Sequence, residues 1–257
     1  MQLPNAAYIN YQNISNNVAQ ICELINKPVM AVVKADAYGH GLINSSQAAL
    51  LGGAQWLGVA LLSEAIEIRK AGITAPLLAW LTPPGADFES AIKNDIDLSI
   101  SSIQQLQEIY AASLRVGLIA RVHLKVDTGM SRSGALDEFP ELVSELNRLT
   151  SANEIELVGT WSHFACADEP AHLLNAEQIK RFNSALEYMN DEGLNPGIRH
   201  IANSSATIGL PEATFDLVRV GLLIYGLSPT NIPPKNLSLK PAMELRARLL
   251  LVKNIPQ

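Results

Sequence analysis

Cysteine is nearly absent: Cys22 and Cys166 are the only two in 257 residues and stand far apart, so there is no disulfide framework and the chain suits a reducing compartment. Long apolar runs are missing too. The longest, Ala48 to Leu62, is broken by Gln55 and falls short of the ~20 residues a bilayer-spanning helix needs. The opening Met-Gln-Leu-Pro-Asn-Ala-Ala has no basic segment, so it is no secretory signal and cytoplasm is the expected location. Charge is sparse at 17%, with 19 Lys+Arg against 25 Asp+Glu. No Lys/Arg cluster is dense enough to follow a phosphate backbone, which argues against nucleic acid and membrane as partners and leaves a small anionic ligand open. Apolar residues, at 48%, are plentiful, which excludes a disordered or fibrous chain. The length suits one large α/β domain or two small ones.

Short apolar or β-branched runs bounded by turn residues alternate with helix-period segments. The runs are Val29–Val33, Trp56–Ala60, Leu77–Trp80, Asp97–Ile100, Ile119–Lys125, Glu156–Ser162, Ile198–Ala202 and Leu217–Val220. Amphipathic helices are expected over Ser45–Gly52, Ser63–Ala71, Asp87–Lys93, Ser102–Ala112, Asp137–Leu149 and Asn175–Glu192, with Ser63 and Asp137 as caps ahead of early carboxylates and Gly72 and Gly193 at C-termini. Eight near-continuous apolar strands separated by helices point to an α/β fold of the (β/α)8 TIM-barrel type. A doubly wound nucleotide-binding sheet is the weaker alternative, because Gly39-His40-Gly41 is followed by Asn44 where the third glycine of the fingerprint belongs.

The barrel is expected over residues 1–226. Residues 227–241 carry Pro229, Pro233, Pro234 and Pro241 and read as a linker. Beyond them Met243, Leu245, Ala247 and Leu249 alternate with Glu244, Arg246 and Arg248, the period of a half-buried strand. One strand cannot make a domain, so residues 242–257 are expected to begin a truncated all-β domain.

In such a barrel the site lies at the carboxyl ends of the strands. The polar residues there are Lys34, Lys125, Asp127, His163, Asn203-Ser204-Ser205 and Arg219 with Gly221. Lys34 follows a buried strand, and a partly desolvated amine at that place is a nucleophile toward an aldehyde, although position alone also allows an ordinary strand-end lysine. His163 and Cys166 form H-x-x-C without a further pair, so no metal is expected, and Gly129-Met130-Ser131-Arg132-Ser133 lacks the closing glycine of a nucleophile elbow.

The segment Ala31-Val-Val-Lys34-Ala-Asp-Ala-Tyr38-Gly-His-Gly resembles the cofactor-lysine segment of alanine racemases, which hold pyridoxal 5′-phosphate on a barrel of this kind. Lys125-Val-Asp127-Thr-Gly-Met-Ser-Arg132-Ser-Gly, Trp161-Ser-His163-Phe-Ala, Asn203-Ser204 and Val218-Arg219-Val-Gly221-Leu-Leu-Ile-Tyr225-Gly extend the resemblance in the same order. It implies that Lys34 carries the cofactor and acts as the base for one enantiomer. It also implies that Tyr38, Asn203, Ser204, Gly221 and Leu222 bind the cofactor, four of them around its phosphate, and that Arg219 bonds the pyridine nitrogen. Loops after the seventh and eighth barrel strands are frequent phosphate sites, which agrees. Arg219 does not readily give up a proton, so the ring stays neutral and a weak electron sink, which suits racemisation.

By the same resemblance His163 backs Arg219 or faces the ring, Lys125 is carbamylated, and Arg132, held by that carbamate, assists the substrate carboxylate. A wall histidine and an unmodified Lys125 paired to Asp127 are the plainer alternatives. The implied activity is interconversion of L- and D-alanine for peptidoglycan precursors by a homodimer, with a second catalytic base, a tyrosine, lying beyond Gln257. A non-catalytic pyridoxal-phosphate carrier and the barrel of a related amino-acid decarboxylase remain alternatives.

Overall fold

The computed structural model describes residues 5–230 and 236–256. It opens with a strand and a helix that the apolar runs did not indicate, β1 (Asn5–Ile9) and α1 (Tyr11–Ile25). The Asn10 side chain caps α1 by accepting from Asn13 N, Ile14, Val18 and Ile21 bury one face, and Asn26 ends the helix at φ 49°.

Each expected run then forms a strand, with ends shifted by no more than two residues: β2 (Val29–Val32), β3 (Trp56–Leu61), β4 (Leu77–Leu81), β5 (Asp97–Ile100), β6 (Ala120–Lys125), β7 (Ile155–Trp161), β8 (Ile198–His200) and β9 (Val218–Val220). All eight are parallel in the order β8-β7-β6-β5-β4-β3-β2-β9. Backbone bonds from Asp216 N to Arg199 O and from Arg219 N to Ala202 O, each 3.0 Å, draw the two outer strands together and all but close the barrel. β2 and β5 are buried along their whole length because helices cover one side and the lumen is packed on the other.

The helices are α2 (Lys34–Gly39), α3 (Leu42–Leu51), α4 (Leu62–Lys70), α5 (Phe88–Lys93), α6 (Ile103–Val116), α7 (Phe139–Ser151), α8 (Leu173–Asp191) and α9 (Ser204–Gly209). Two expected caps are corrected. Ser63 lies inside α4, whose start is held by Glu64 reaching back to Ala60 N and Leu61 N, and Asp137 precedes α7 while Glu138 occupies the cap position. Gly72 and Gly193 do follow α4 and α8 with φ of +80° and +78°. Apart from the main core between strands and helices, Met30, Trp56, Leu78, Val158 and Leu217 form a second cluster that fills the lumen. Among the described residues no helix is long and apolar enough to cross a membrane.

The terminal strand has a partner. β10 (Met243–Ala247) pairs antiparallel with β1, Asn5 opposite Ala247, as a two-stranded ribbon beside the barrel. Its alternation does not bury a face: Met243 is half-buried, Glu244 to Ala247 are exposed, and Leu249 lies outside the strand. Met243 reaches toward Gly39 of α2, while the rest of β10 is exposed. Of the linker prolines, Pro233 and Pro234 lie outside the described residues.

Candidate active site

Lys34 leaves the end of β2 into a turn of unusual hand. Ala35, Asp36, Ala37 and Tyr38 all lie at φ between 52° and 54°, so this part of α2 is a left-handed helical turn built without glycine. L-residues resist that conformation by roughly 1–2 kcal/mol each, so the neighbours must impose it. Glu64 accepts from Ala35 N, Ala37 N donates to Val33 O at 2.9 Å, Gly41 N to Asp36 O at 3.0 Å, and Leu42 N to the Asp36 carboxylate at 2.7 Å. Tyr11 of α1 donates to His40 O, tying the missed helix to this turn. The Lys34 amine has its pKa lowered, first by burial and then by the nearby Arg132 guanidinium, with Glu64 opposing.

The turn delivers Tyr38 against the end of β9. Its ring packs on Tyr225 at 5.0 Å, and Tyr225, buried, stacks on His40 and donates to Val32 O. Tyr225 is thus a wall that fixes Tyr38. Glycine at 221 leaves room for the Tyr38 hydroxyl, which a Cβ there would meet at 2.6 Å. Gly221 N donates to Ser204 Oγ at 2.9 Å, which leaves the Ser204 hydroxyl proton free for the cavity. Asn203 caps α9 by accepting from Ala206 N. Leu222 starts a 3-10 turn, so its N–H has no partner within it.

Arg219 is 4% exposed and saturated on one side. Its Nη1 donates to His200 Nδ1 and O, and its Nη2 to Ser162 O, Ile201 O and His163 Nδ1. Nε has no protein partner among the described residues. Burial, then Arg132, pushes the Arg219 pKa down to about 9, which still leaves a cation at neutral pH. His163 accepts at Nδ1 from that cation, and burial plus the Arg219 charge holds its pKa far below the usual value, so it is neutral with its proton on Nε2.

One cavity is lined by Lys34, Tyr38, Arg132, His163, Asn203, Ser204, Arg219, Gly221 and Leu222, together with Ser205, Val32, Trp80, Trp161 and Pro229. Every residue singled out for catalysis or cofactor binding is therefore at one mouth. Lys125 is not in the lining. It lies beneath, 4% exposed, with its amine over the Trp161 ring at 4.5 Å and bonded to Ser133 Oγ. The alternative pairing of Lys125 with Asp127 is not formed, because β6 ends at Lys125 and the Asp127 carboxylate turns to cap Gly129 N and Ser131 N. Arg132 is exposed and bonded to neither.

The sequence reading missed Trp80 in the wall and three lumen residues, Asp97, His123 and His200. A signal was present: Asp97, His123 and His200 are polar side chains within parallel strands, and in the structure all three are at most 1% exposed.

The model of the alanine racemase N-terminal domain matches residues 9–229. An alanine racemase of Frankia casuarinae is 46% identical over 99% of this chain and 67% of its own length. The chain belongs to the alanine racemase family. A relative of the same name from Salinispora tropica is 45% identical over 96% of this chain and 66% of its own. Among solved structures, the alanine racemase from D-cycloserine-producing Streptomyces lavendulae matches all of this chain at a TM-score of 0.96 and 43% identity, over 68% of that chain. The chain thus spans about two thirds of the length of these alanine racemases.

Proposed function

We propose that this chain is the cofactor-binding barrel of an alanine racemase, holding pyridoxal 5′-phosphate with Lys34 and removing or returning the α-proton of alanine. The observation that carries the reading is the convergence of a lysine of lowered pKa, a donor-only arginine and a hydroxyl-lined glycine cradle on one cavity. The lining fits the cofactor chemically. Among the described residues it holds three cations, Lys34, Arg132 and Arg219, and no carboxylate, as a phosphate dianion and a substrate carboxylate require. The space a Cβ would fill at 221 lies beside Tyr38, and Ser204 keeps a proton to donate there.

When bound, the cofactor supplies an electron-withdrawing ring that acidifies the α-proton of an attached amino acid. Lys34, uncharged more readily than a surface lysine, is the nucleophile toward the aldehyde and the base on its own face. Arg219 offers Nε to the ring nitrogen and keeps its proton. Neutral His163 bears on Arg219 without adding charge. Tyr38, Ser204 and the Leu222 N–H would hold the phosphate, with Gly221 leaving room for it and Asn203 supporting the helix start. Arg132 is free to meet the substrate carboxylate.

The Lys125 amine, pushed down to about 8 by burial and then by Arg132 and Arg219, is available to attack carbon dioxide. The N–C bond forms, a proton leaves to solvent, and the carbamate anion faces Arg132. We also read residues 227–241 as a linker and 242–257 as the start of a β domain, in a cytoplasmic homodimer that supplies peptidoglycan precursors. The relatives favour this over a carrier or a decarboxylase.

The test is to titrate the chain with pyridoxal 5′-phosphate, reduce with borohydride and map the adduct. The label is expected on the peptide holding Lys34 and lost in Lys34→Ala. A covalent adduct elsewhere in that variant overturns the assignment.

A further inference from the structure

Behind Arg219 a chain of hydrogen bonds runs down the lumen. Arg219 Nη1 meets His200 Nδ1 at 3.1 Å, His200 Nε2 meets His123 Nδ1 at 3.0 Å, and His123 Nε2 meets Asp97 Oδ2 at 3.2 Å. All four residues are at most 4% exposed. Which ring nitrogens carry protons is decided by the two ends. A guanidinium only donates, so His200 Nδ1 accepts and the single proton of that neutral ring is on Nε2. It is given to His123 Nδ1, which leaves the His123 proton on Nε2 facing Asp97. A carboxylate only accepts, so the far end agrees. Every donor points away from the site.

Independent features support this direction. Burial, then the Arg219 charge, holds the His200 pKa far below its usual value, so it has one proton to place. Burial alone would raise the Asp97 pKa, but the bonds from His123 and Arg121 outweigh it and keep the carboxylate charged. Arg121 donates to Asp97 Oδ1 at 2.7 Å from the end of the barrel opposite the site. Room for the imidazole pair exists because residue 159 is glycine: a Cβ there would lie 2.9 Å from His123 Nδ1 as well as 2.5 Å from Ile198 O. A shift in register between Val122 and His123 sets His123 opposite that glycine.

We propose that His123 and Asp97 are positioning residues of the site, fixing the His200 tautomer so that the Arg219 guanidinium is held with Nε toward the cavity. This rests on the cofactor-binding reading for its purpose and for the ring-nitrogen readout, while the tautomer readout is made on the chain without cofactor. A reversed chain would set the His200 Nδ1–H against the Arg219 Nη1–H, and the guanidinium would have to turn.

The experiment reads histidine ¹⁵N–¹H correlations on the ¹⁵N-labelled chain without cofactor, then the ¹⁵N shift of the ring nitrogen of bound labelled pyridoxal 5′-phosphate. In the wild type, His123 and His200 are both expected protonated at Nε2 and bare at Nδ1. His123→Leu removes the acceptor, so an Nδ1–H form of His200 and a moved ring-nitrogen shift are expected. His123→Gln, which can accept at one end and donate at the other, should restore both. An Nδ1–H on either histidine of the wild type overturns the proposal, and this holds even if the leucine variant does not fold. So does a leucine variant in which the His200 tautomer and the ring shift stay put, or a glutamine variant that restores neither. Failure to bind the cofactor while both tautomers stand as expected sinks the functional reading alone.

Discussion

Replacing Gly221 with alanine isolates one contact. The residue has φ −110°, so the added methyl strains no left-handed backbone and acts through the Tyr38 hydroxyl, 2.6 Å from where it would sit. Apolar contacts settle at about 3.5–4 Å, so the hydroxyl must retreat by roughly 1 Å. Tyr38 is backed on one side by buried Tyr225 at 5.0 Å, so the retreat draws it off its phosphate-facing position. Losing one hydrogen bond to a charged phosphate costs about 1.5–3 kcal/mol, or roughly 10–150-fold in cofactor affinity.

Tyr38→Phe should cost about the same. In that background the nearest atom is Cζ at 3.2 Å, a contact that needs only a small adjustment, so Gly221→Ala should then add little. Absorbance titrations with pyridoxal 5′-phosphate on the two single variants and the double variant give the coupling, with circular dichroism and Tm confirming an intact fold. Additivity to within ~0.5 kcal/mol would falsify the cradle argument, as would unchanged affinity in Gly221→Ala.

Lys125, at about 8, loses its proton in the folded chain at lower pH than the 10.5 of an ordinary lysine, so the unfolded state binds more protons between those values and stability from this group rises with pH across that window. In CO₂-free buffer, urea midpoints on either side of the window should show the wild type gaining on Lys125→Met; parallel curves would remove the effect. With cofactor bound in D₂O, these 257 residues should exchange the α-proton of D-alanine faster than they form L-alanine, because general acid–base groups contribute roughly 10²–10⁴-fold and Lys34 serves one face; inversion at the rate of a full-length racemase would refute that. Arg219→Glu should protonate the ring nitrogen of the bound cofactor, read from its ¹⁵N shift, and an unchanged shift would count against the role given to Arg219.

The barrel was legible because parallel strands buried on both sides are written as continuous apolar runs, such as Val29–Val32. The residues that line the cavity were legible because strand ends in this architecture converge, and because the motifs around Lys34 and Arg219 resemble a known family. The β1–β10 pairing was not, since Asn5 and Ala247 meet from opposite ends of the chain and no local period records the contact. α1 was obscured by Asn13, Asn16 and Asn17, poor helix formers, although Asn10 and the Ile14–Val18–Ile21 spacing were there to be read. The lumen chain escaped because Asp97, His123 and His200 are far apart in sequence, and only the barrel brings them into line.

The left-handed turn after Lys34 ties reactivity to folding. Four L-residues held there cost together about 4–8 kcal/mol, a sum comparable with the net stability of about 5–15 kcal/mol typical of a folded domain. Each of the four sits in a small, disfavoured region of backbone space, and none of them is a glycine that would ease it. Its geometry is lent by the local bond to Val33 O, by Glu64 from the start of α4 and by the packing of Ala37. By mirror symmetry this hand is the relaxed one for D-residues, so D-alanine at positions 35 and 37 would sit there without strain while L-alanine is held under tension. The pose of the lysine therefore depends on a carboxylate 29 residues from Ala35 in sequence, and a segment cut from the barrel would lose it.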